Sequence, residues 1–410
     1  MFRIPALVIG AGQAGLAMSH CLARRGIEHV VLARGRVVER WRSERWESLR
    51  LLTPNWMSRL PGWRYRGDDP DGFMRAAEYA DYLSAYAAVA PVLTGTAVRA
   101  VRRADDVYRV ETAAGTWQAD AVVIATGHCD TPAVPGVARH LPEDVLQISP
   151  SAYRNPGQIP AGGVLVVGAS ATGAQIAEEL QLAGRQVTLA VGRHARVPRR
   201  YRGRDIWHWL DASGVLDDRW DRVGDIDRAR RQPSFQLVGR PERRNLDLGT
   251  LRDCGVRLAG HVAGIEAGHV RFHDDLDESA AEAQATLERL LARLDGCADA
   301  AGAPGDSDAA RPIAVPRAPV TLDLAGEGVR SVVWATGYRR DYGWMQVPVT
   351  GADGEILHDG GVTPAPGLYV LGLRFMRRRR SNFIDGVGQD AEDLSAHLAA
   401  WLGQGRRRAA

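Results

Sequence analysis

The chain has 410 residues, of which 45% are hydrophobic and 25% charged, with a formal net charge of +3. That is ordinary for a soluble globular protein with room for two or three domains, and too weakly basic for a general nucleic-acid binder. All 52 basic residues are arginine, as the codon usage of a GC-rich genome favours. Without lysine there is no Schiff base and no P-loop lysine, which excludes pyridoxal enzymes and Walker-type ATPases. Cys21, Cys129, Cys254 and Cys297 form no CxxC pair, so neither a redox dithiol nor a zinc site is expected. No apolar run approaches ~18 residues, and an apolar strand starts within the first ten positions. The expectation is a cytoplasmic protein with no signal peptide, no membrane span and no metal.

The stretch ALVIGAGQAGLAMSHCLARRGIEHVVLARGR, residues 6 to 36, predicts a strand, a glycine turn, a helix and a second strand. In such a unit the first glycine (Gly10) makes the tight turn and the second (Gly12) lets a pyrophosphate approach. The third (Gly15) lets the helix pack on the strand. The phosphate then rests on free N–H groups of the helix N-terminus, which begins at Gln13. An acid is expected at the end of the outer strand to hold a ribose, and Ala33 stands there, followed by Arg34. Residues 39 to 63, ERWRSERWESLRLLTPNWMSRLPGW, are dense in Trp and Arg. Trp41, Trp46 and Trp56 suit core packing equally well.

A buried strand ending in Ala-Thr-Gly is predicted at residues 119 to 132, ADAVVIATGHCDTP, which nominates Thr126 and Gly127 for a close approach of ligand to backbone. A second strand–turn–helix–strand unit occupies residues 162 to 193, with Gly168, Ser170 and Gly173 in the three key places. Ala171 and Thr172 open its helix. Its outer strand ends in Gly192, Arg193, His194 and Arg196 with no acid, the pattern of a site for a 2′-phosphate, and so points to NADPH over NADH. Residues 266 to 318 carry a helix with leucine at helical spacing, then a linker rich in Gly, Pro and Asp. This insert suits a packing element and a substrate-side cap equally. A second Ala-Thr-Gly strand follows at residues 330 to 342, nominating Thr336 and Gly337. The run RFMRRRRSNF from Arg374 to Phe383 predicts a solvated charged loop, although its position also permits contact with an anion.

These motifs together (GAGQAG, WRSERWESLRLLTPNW, both ATG segments, GASATG, RRYRGRD and GLYVLGL…FIDGVGQDA) resemble the flavin-dependent monooxygenases among the two-dinucleotide-binding-domain flavoproteins, near the flavin-containing monooxygenases. The resemblance covers nearly the whole chain. It implies an α/β fold of two Rossmann-like domains. The FAD domain would span residues 1–152 and 337–410, and an NADPH domain at 153–336 would carry the helical insertion at 266–318. It further implies that NADPH reduces FAD, that O2 adds at the flavin C4a, and that one oxygen atom passes to a small organic substrate. Trp41 and Arg42 would cover the FAD pyrophosphate, Asn55 would stand near C4a, and Gly388 and Gln389 would meet the flavin ring. Two departures stand out. The histidine-centred fingerprint expected before the second unit is replaced by EDVLQISPSAYRNP, which disfavours the Baeyer–Villiger branch, and Ala33 removes the ribose acid. A flavin reductase without oxygenation and a non-catalytic nucleotide-binding flavoprotein are the competing readings. Partners beyond O2 and a small molecule are not implied, and a homodimer is left open.

Overall fold

The structure, a computed structural model, describes residues 2–306 and 308–409. Strand β1 (Phe2–Ile9) is buried on both faces from Ala6 onward, as the central strand of a parallel sheet must be. It lies between β2 (His29–Leu32) and β3 (Gly115–Ile124), parallel to both, with Leu7 opposite Val30 on one side and Val122 on the other. Helix α1 (Gln13–Arg24) connects β1 to β2. The outer edge of β3 is shared between two partners. Its first half pairs antiparallel with Val107–Thr112, and its last residues pair in parallel with a strand at Leu368–Val370. The chain therefore returns to its first sheet after an excursion of more than 200 residues.

That excursion builds a second parallel sheet around β4 (Gly163–Val167), which pairs with β5 (Val187–Ala190) and with β6 (Val329–Trp334). Leu146–Ile148 extends it beside β6, and Arg257–Ala259 beside β5. Helix α2 (Ala171–Leu182) follows β4 as α1 follows β1. The α/β architecture with two dinucleotide-binding units thus holds as expected. Two apolar cores result: one draws on residues from Ile4 to Ala125 and again from Tyr342 to Leu398, the other on Ile148 to Val333 together with Trp46.

The chain crosses between the sheets twice, and the two crossings are hydrogen-bonded to one another. Thr131–Pro132 pairs antiparallel with Tyr338–Arg339. The Ala133 N–H donates to the Gly337 carbonyl at 2.9 Å, and the Thr336 hydroxyl donates to the Ala133 carbonyl at 2.7 Å.

The inserted helix α3 (Leu276–Ala300) buries Leu287, Leu291, Leu294 and Ala298, one stripe at helical spacing. They join Trp207, Trp209, Leu210 and Met57 in a third cluster, so the helix acts as a packing element. The run at 374–380 corrects the expectation of a solvated loop. Its arginines are buried or half-buried and bridge the helix α4 (Val387–Ala409) to the segment 211–218. Arg378 pairs with Asp390 at 2.8 Å and Arg377 with Asp393 at 3.3 Å, while Arg379 pairs with Asp218 at 3.1 Å. Arg380 reaches Asp211 at 2.6 Å, Asp217 at 3.1 Å and Asp385 at 2.8 Å. A solvated arginine run would repel itself; six carboxylates from two segments make this one a clasp. Sequence periodicity could not show it, because three of the acids belong to a distant part of the chain.

Asp385 is almost fully buried, and burial raises its pKa against the pull of Arg380 and Arg59. Arg380→Met leaves that carboxylate poorly compensated and should cost about 3–5 kcal/mol. The urea midpoint of the variant reads this directly, and adding Asp385→Leu should recover part of the loss. An unchanged midpoint in Arg380→Met would show that the clasp contributes nothing to stability.

Candidate nucleotide-binding site

The first turn has the geometry its glycines imply. Gly10 sits at φ +113°, and a Cβ there would lie 2.4 Å from the Ala125 carbonyl oxygen, inside the first Ala-Thr-Gly segment. A Cβ on Gly15 would lie 1.8 Å from the Gly10 carbonyl oxygen. Only hydrogen fits at either position. Gly12 has no atom within 4 Å of the place a Cβ would take, so its face is open to a ligand. The second turn repeats the construction. A Cβ on Gly168 would lie 2.5 Å from the Ala335 carbonyl oxygen, in the second Ala-Thr-Gly segment, and one on Gly173 would lie 1.8 Å from the Gly168 carbonyl oxygen. Ser170, in the middle place, donates its hydroxyl to the Ser234 carbonyl at 3.2 Å.

A cleft of about 420 Å³ opens at the first turn. It brings together Gly10, Gly12, Gln13, Arg34, Trp41, Thr126 and Gly127 of the residues nominated from sequence, with Ala33 also on its wall. Gly15 lies behind the wall, where the helix packs. Arg42 points elsewhere, donating to Ser84 at 2.8 Å and Asp81 at 3.1 Å. Arg36, Arg40 and Arg45 line the cleft beside Arg34, and Arg45 lies over the Trp41 ring at 5.0 Å. Trp41 and Arg42 are neighbours in a helical turn and point in different directions, whereas the residue four places beyond Trp41 returns to its face. Applying that spacing to the sequence would have selected Arg45.

The other nominated residues are spread more widely. Asn55 is buried in a short turn. Its amide nitrogen donates to the Asp69 carbonyl at 2.9 Å, and its oxygen accepts from the Met74 N–H at 2.9 Å. It lines a separate cavity of about 570 Å³ with Tyr65, Phe73 and Tyr82. Gly388 is buried, and a Cβ there would meet Pro61 at 2.8 Å; Gln389 is exposed and reaches Asp393 at 3.4 Å. Beside the second turn, Ala171 and Thr172 open α2, and Arg193 is exposed. Arg196 is buried and committed to the insertion, donating to Gln284 at 2.7 Å and the Arg311 carbonyl at 3.0 Å.

His128 directly follows Gly127 and faces the cleft. Burial and the guanidinium groups of Arg374, Arg340, Arg45 and Arg40 hold its pKa down to about 3. Arg40 pairs with Asp130 and Arg340 with Glu355, which offsets only part of this positive charge. The cleft wall thus carries Arg34, Arg36, Arg40 and Arg45 against Glu39, Glu44 and Asp130, beside an imidazole held toward its neutral form. Among the described residues no group of three His, Cys, Asp or Glu side chains is placed to hold a metal, and no helix is long and apolar enough to cross a membrane.

Two sheets with parallel centres, each with a glycine turn set against an Ala-Thr-Gly segment, define an oxidoreductase of the two-dinucleotide-binding flavoprotein fold. Comparison with known proteins agrees. The pyridine nucleotide-disulphide oxidoreductase family matches residues 7–202. An uncharacterized CzcO-like oxidoreductase of Geobacillus kaustophilus is 33% identical over 95% of this chain and 97% of its own length. The chain therefore belongs to the CzcO-like oxidoreductases. An indole-3-pyruvate monooxygenase of Oryza sativa, YUCCA1, is 27% identical over 67% of this chain and 73% of its own. The same fold is found in a flavin-containing monooxygenase from Stenotrophomonas maltophilia (TM-score 0.66, 20% identity, 98% of this chain and 99% of that one).

The depressed pKa of His128 has a sign. The unfolded chain binds the proton more tightly, so folded stability is present above pH 6.5 and is lost as pH falls from there toward 3. The slope is at most about 1.4 kcal/mol per pH unit, less because the ring faces the cleft and meets water. His128→Gln should flatten the fall in urea midpoint between pH 6.5 and 4. Identical pH profiles for the two proteins would mean the imidazole is not held neutral by its surroundings.

Proposed function

We propose that the chain is an FAD- and NADPH-dependent monooxygenase acting on a small organic molecule. One observation carries this reading: two turns of the same construction, each locked against an Ala-Thr-Gly segment, face a shared pair of crossings. The residues fit the two nucleotides. The open face of Gly12, the N-terminus of α1 and the arginines of the cleft suit the FAD pyrophosphate. Ser170, Ala171 and Thr172 offer the same helix N-terminus to the NADPH pyrophosphate, with Arg193 free at the surface for a 2′-phosphate. Bound FAD would supply the electron transfer and the chemistry with O2. The chain's own part is to bind and orient both nucleotides and to keep the His128 imidazole neutral. The direct test supplies purified protein with FAD, NADPH and O2, and asks for an oxygenated product of an added small molecule.

A second reading, an NADPH-dependent flavin reductase without oxygenation, is favoured by Asn55, whose amide already has backbone partners at both ends. Asn55→Ala tests which of two roles the amide has, the oxygen step or the bracing of its turn. If the amide serves the oxygen step, the variant still takes FAD and is reduced by NADPH, but yields hydrogen peroxide in place of oxygenated product. If it only braces the 69–74 loop, coupling stays normal and stability falls by about 1–3 kcal/mol.

Cofactor choice has its own test. Each charge-assisted contact to a 2′-phosphate contributes about 1.5–3 kcal/mol, so NADPH should be preferred over NADH by ~10-fold or more in kcat/KM. Arg193→Ala should erase most of that preference through KM for NADPH. Equal use of both nucleotides by the unaltered protein contradicts the assignment.

A further inference from the structure

The strand that ends at Ala33 has no acid for a ribose, yet an acid reaches the same end of the cleft by another route. After β2 the chain turns back so that the Val38 N–H donates to the Ala11 carbonyl, in the first glycine turn, at 3.1 Å. This return places Val38 at φ +60°, a left-handed conformation that is a true outlier for a β-branched residue. Strain of this kind persists where surrounding structure imposes it, commonly beside a ligand. Its immediate result is the placement of Glu39. That carboxylate accepts from the Arg36 N–H at 3.0 Å, from Arg36 Nε at 2.9 Å and from Nη2 at 2.9 Å. It lies over Gly35, where a Cβ would stand 3.0 Å from its Oε2, and it lines the cleft together with Ala33 and Arg34.

The Arg36 pairing by itself does not explain this arrangement. Arg36 is largely exposed, and an exposed ion pair contributes little to stability, too little to offset a strained valine. What the pair does is hold the carboxylate ionised, with its pKa lowered to about 2 by the Arg36 guanidinium and N–H, and keep it in one orientation. Oε1 takes only one of the three bonds, and an ionised carboxylate oxygen has room for a further donor. A hydroxyl is the donor that this end of a dinucleotide cleft presents.

We infer that Glu39 holds the adenosine ribose of FAD, replacing from the following turn the acid that Ala33 lacks at the strand end. The inference rests on the first cleft being the FAD site. It makes Glu39 a cofactor-binding residue, Arg36 and Val38 its positioning residues, and Ala33 a vacated place.

The test measures how long flavin stays bound after dilution, by the fluorescence of released flavin. It compares FAD with an analogue whose adenosine lacks the 2′-hydroxyl. The wild-type protein should hold FAD ~10-fold longer than the analogue, the lower end for a hydrogen bond to a charged group. Glu39→Gln should shorten FAD residence ~10-fold and leave that of the analogue unchanged. Ala33→Glu placed on top of Glu39→Gln should restore the preference for FAD, because the acid then stands at the strand end on the same wall. Equal loss for FAD and analogue would assign Glu39 to bracing the turn and overturn the inference. So would no change in either, or a wild type that does not distinguish the two. A protein that binds no flavin at all overturns the assignment of the cleft, and the inference with it.

Discussion

Much of this structure depends on the short antiparallel pairing of its two crossings. Thr131–Pro132 and Tyr338–Arg339 are more than 200 residues apart in the chain, and each leaves a strand by way of Ala-Thr-Gly. A single crossing would leave the second sheet free to swing on one covalent link. Two crossings bonded to one another, with the Thr336 hydroxyl and the Ala133 N–H as added ties, form one double link. The Ala-Thr-Gly segments have a second duty. Ala125 and Ala335 press their carbonyl groups against Gly10 and Gly168, so the segments that join the domains also shape the two nucleotide turns. The link between the two sheets and the geometry of the two turns therefore rest on the same few residues.

Charge is distributed by the same logic of distant segments meeting. A chain whose cations are all arginine carries planar, permanently charged groups everywhere, and each must find an anion or water. At 377–380 they find carboxylates from 211–218 and from the segment 385–393, and fasten the closing helix to the second domain. At the cleft, Arg40 meets Asp130 and Glu44, and burial together with the surrounding arginines lowers the pKa of His128. The same residue type thus ties distant segments together in one place and lines a cleft in another.

The insertion illustrates how packing decides among readings that spacing leaves open. Leucines at helical intervals within 266–318 were compatible with a cap over substrate or with simple packing. The helix Leu276–Ala300 lies on Trp207, Trp209 and Leu210, and its Gln284 takes up Arg196, which the sequence had offered to a nucleotide phosphate. A helix added to a dinucleotide-binding unit has thereby removed one candidate phosphate ligand and left Arg193, which is exposed, as the other.

What the sequence alone determined is local. Glycines at spacings of two and three after an apolar strand specify a turn that only hydrogen can fill, because the clash at Gly15 and Gly173 comes from a carbonyl five residues away in the same motif. Buried strands, the two repeated units and the missing acid at Ala33 were legible for the same reason, since each depends on neighbours within one supersecondary unit. What only the tertiary structure decided is every interaction between units. That includes the pairing of the crossings, the carboxylates that meet the arginine run and the backbone partners of the Asn55 amide. The outward turn of Arg42 and the return of Glu39 to the cleft wall beside Ala33 belong with them. A side chain's direction around a short helical turn, or its partner two hundred residues away, is set by packing and burial across the fold, and no local spacing encodes that.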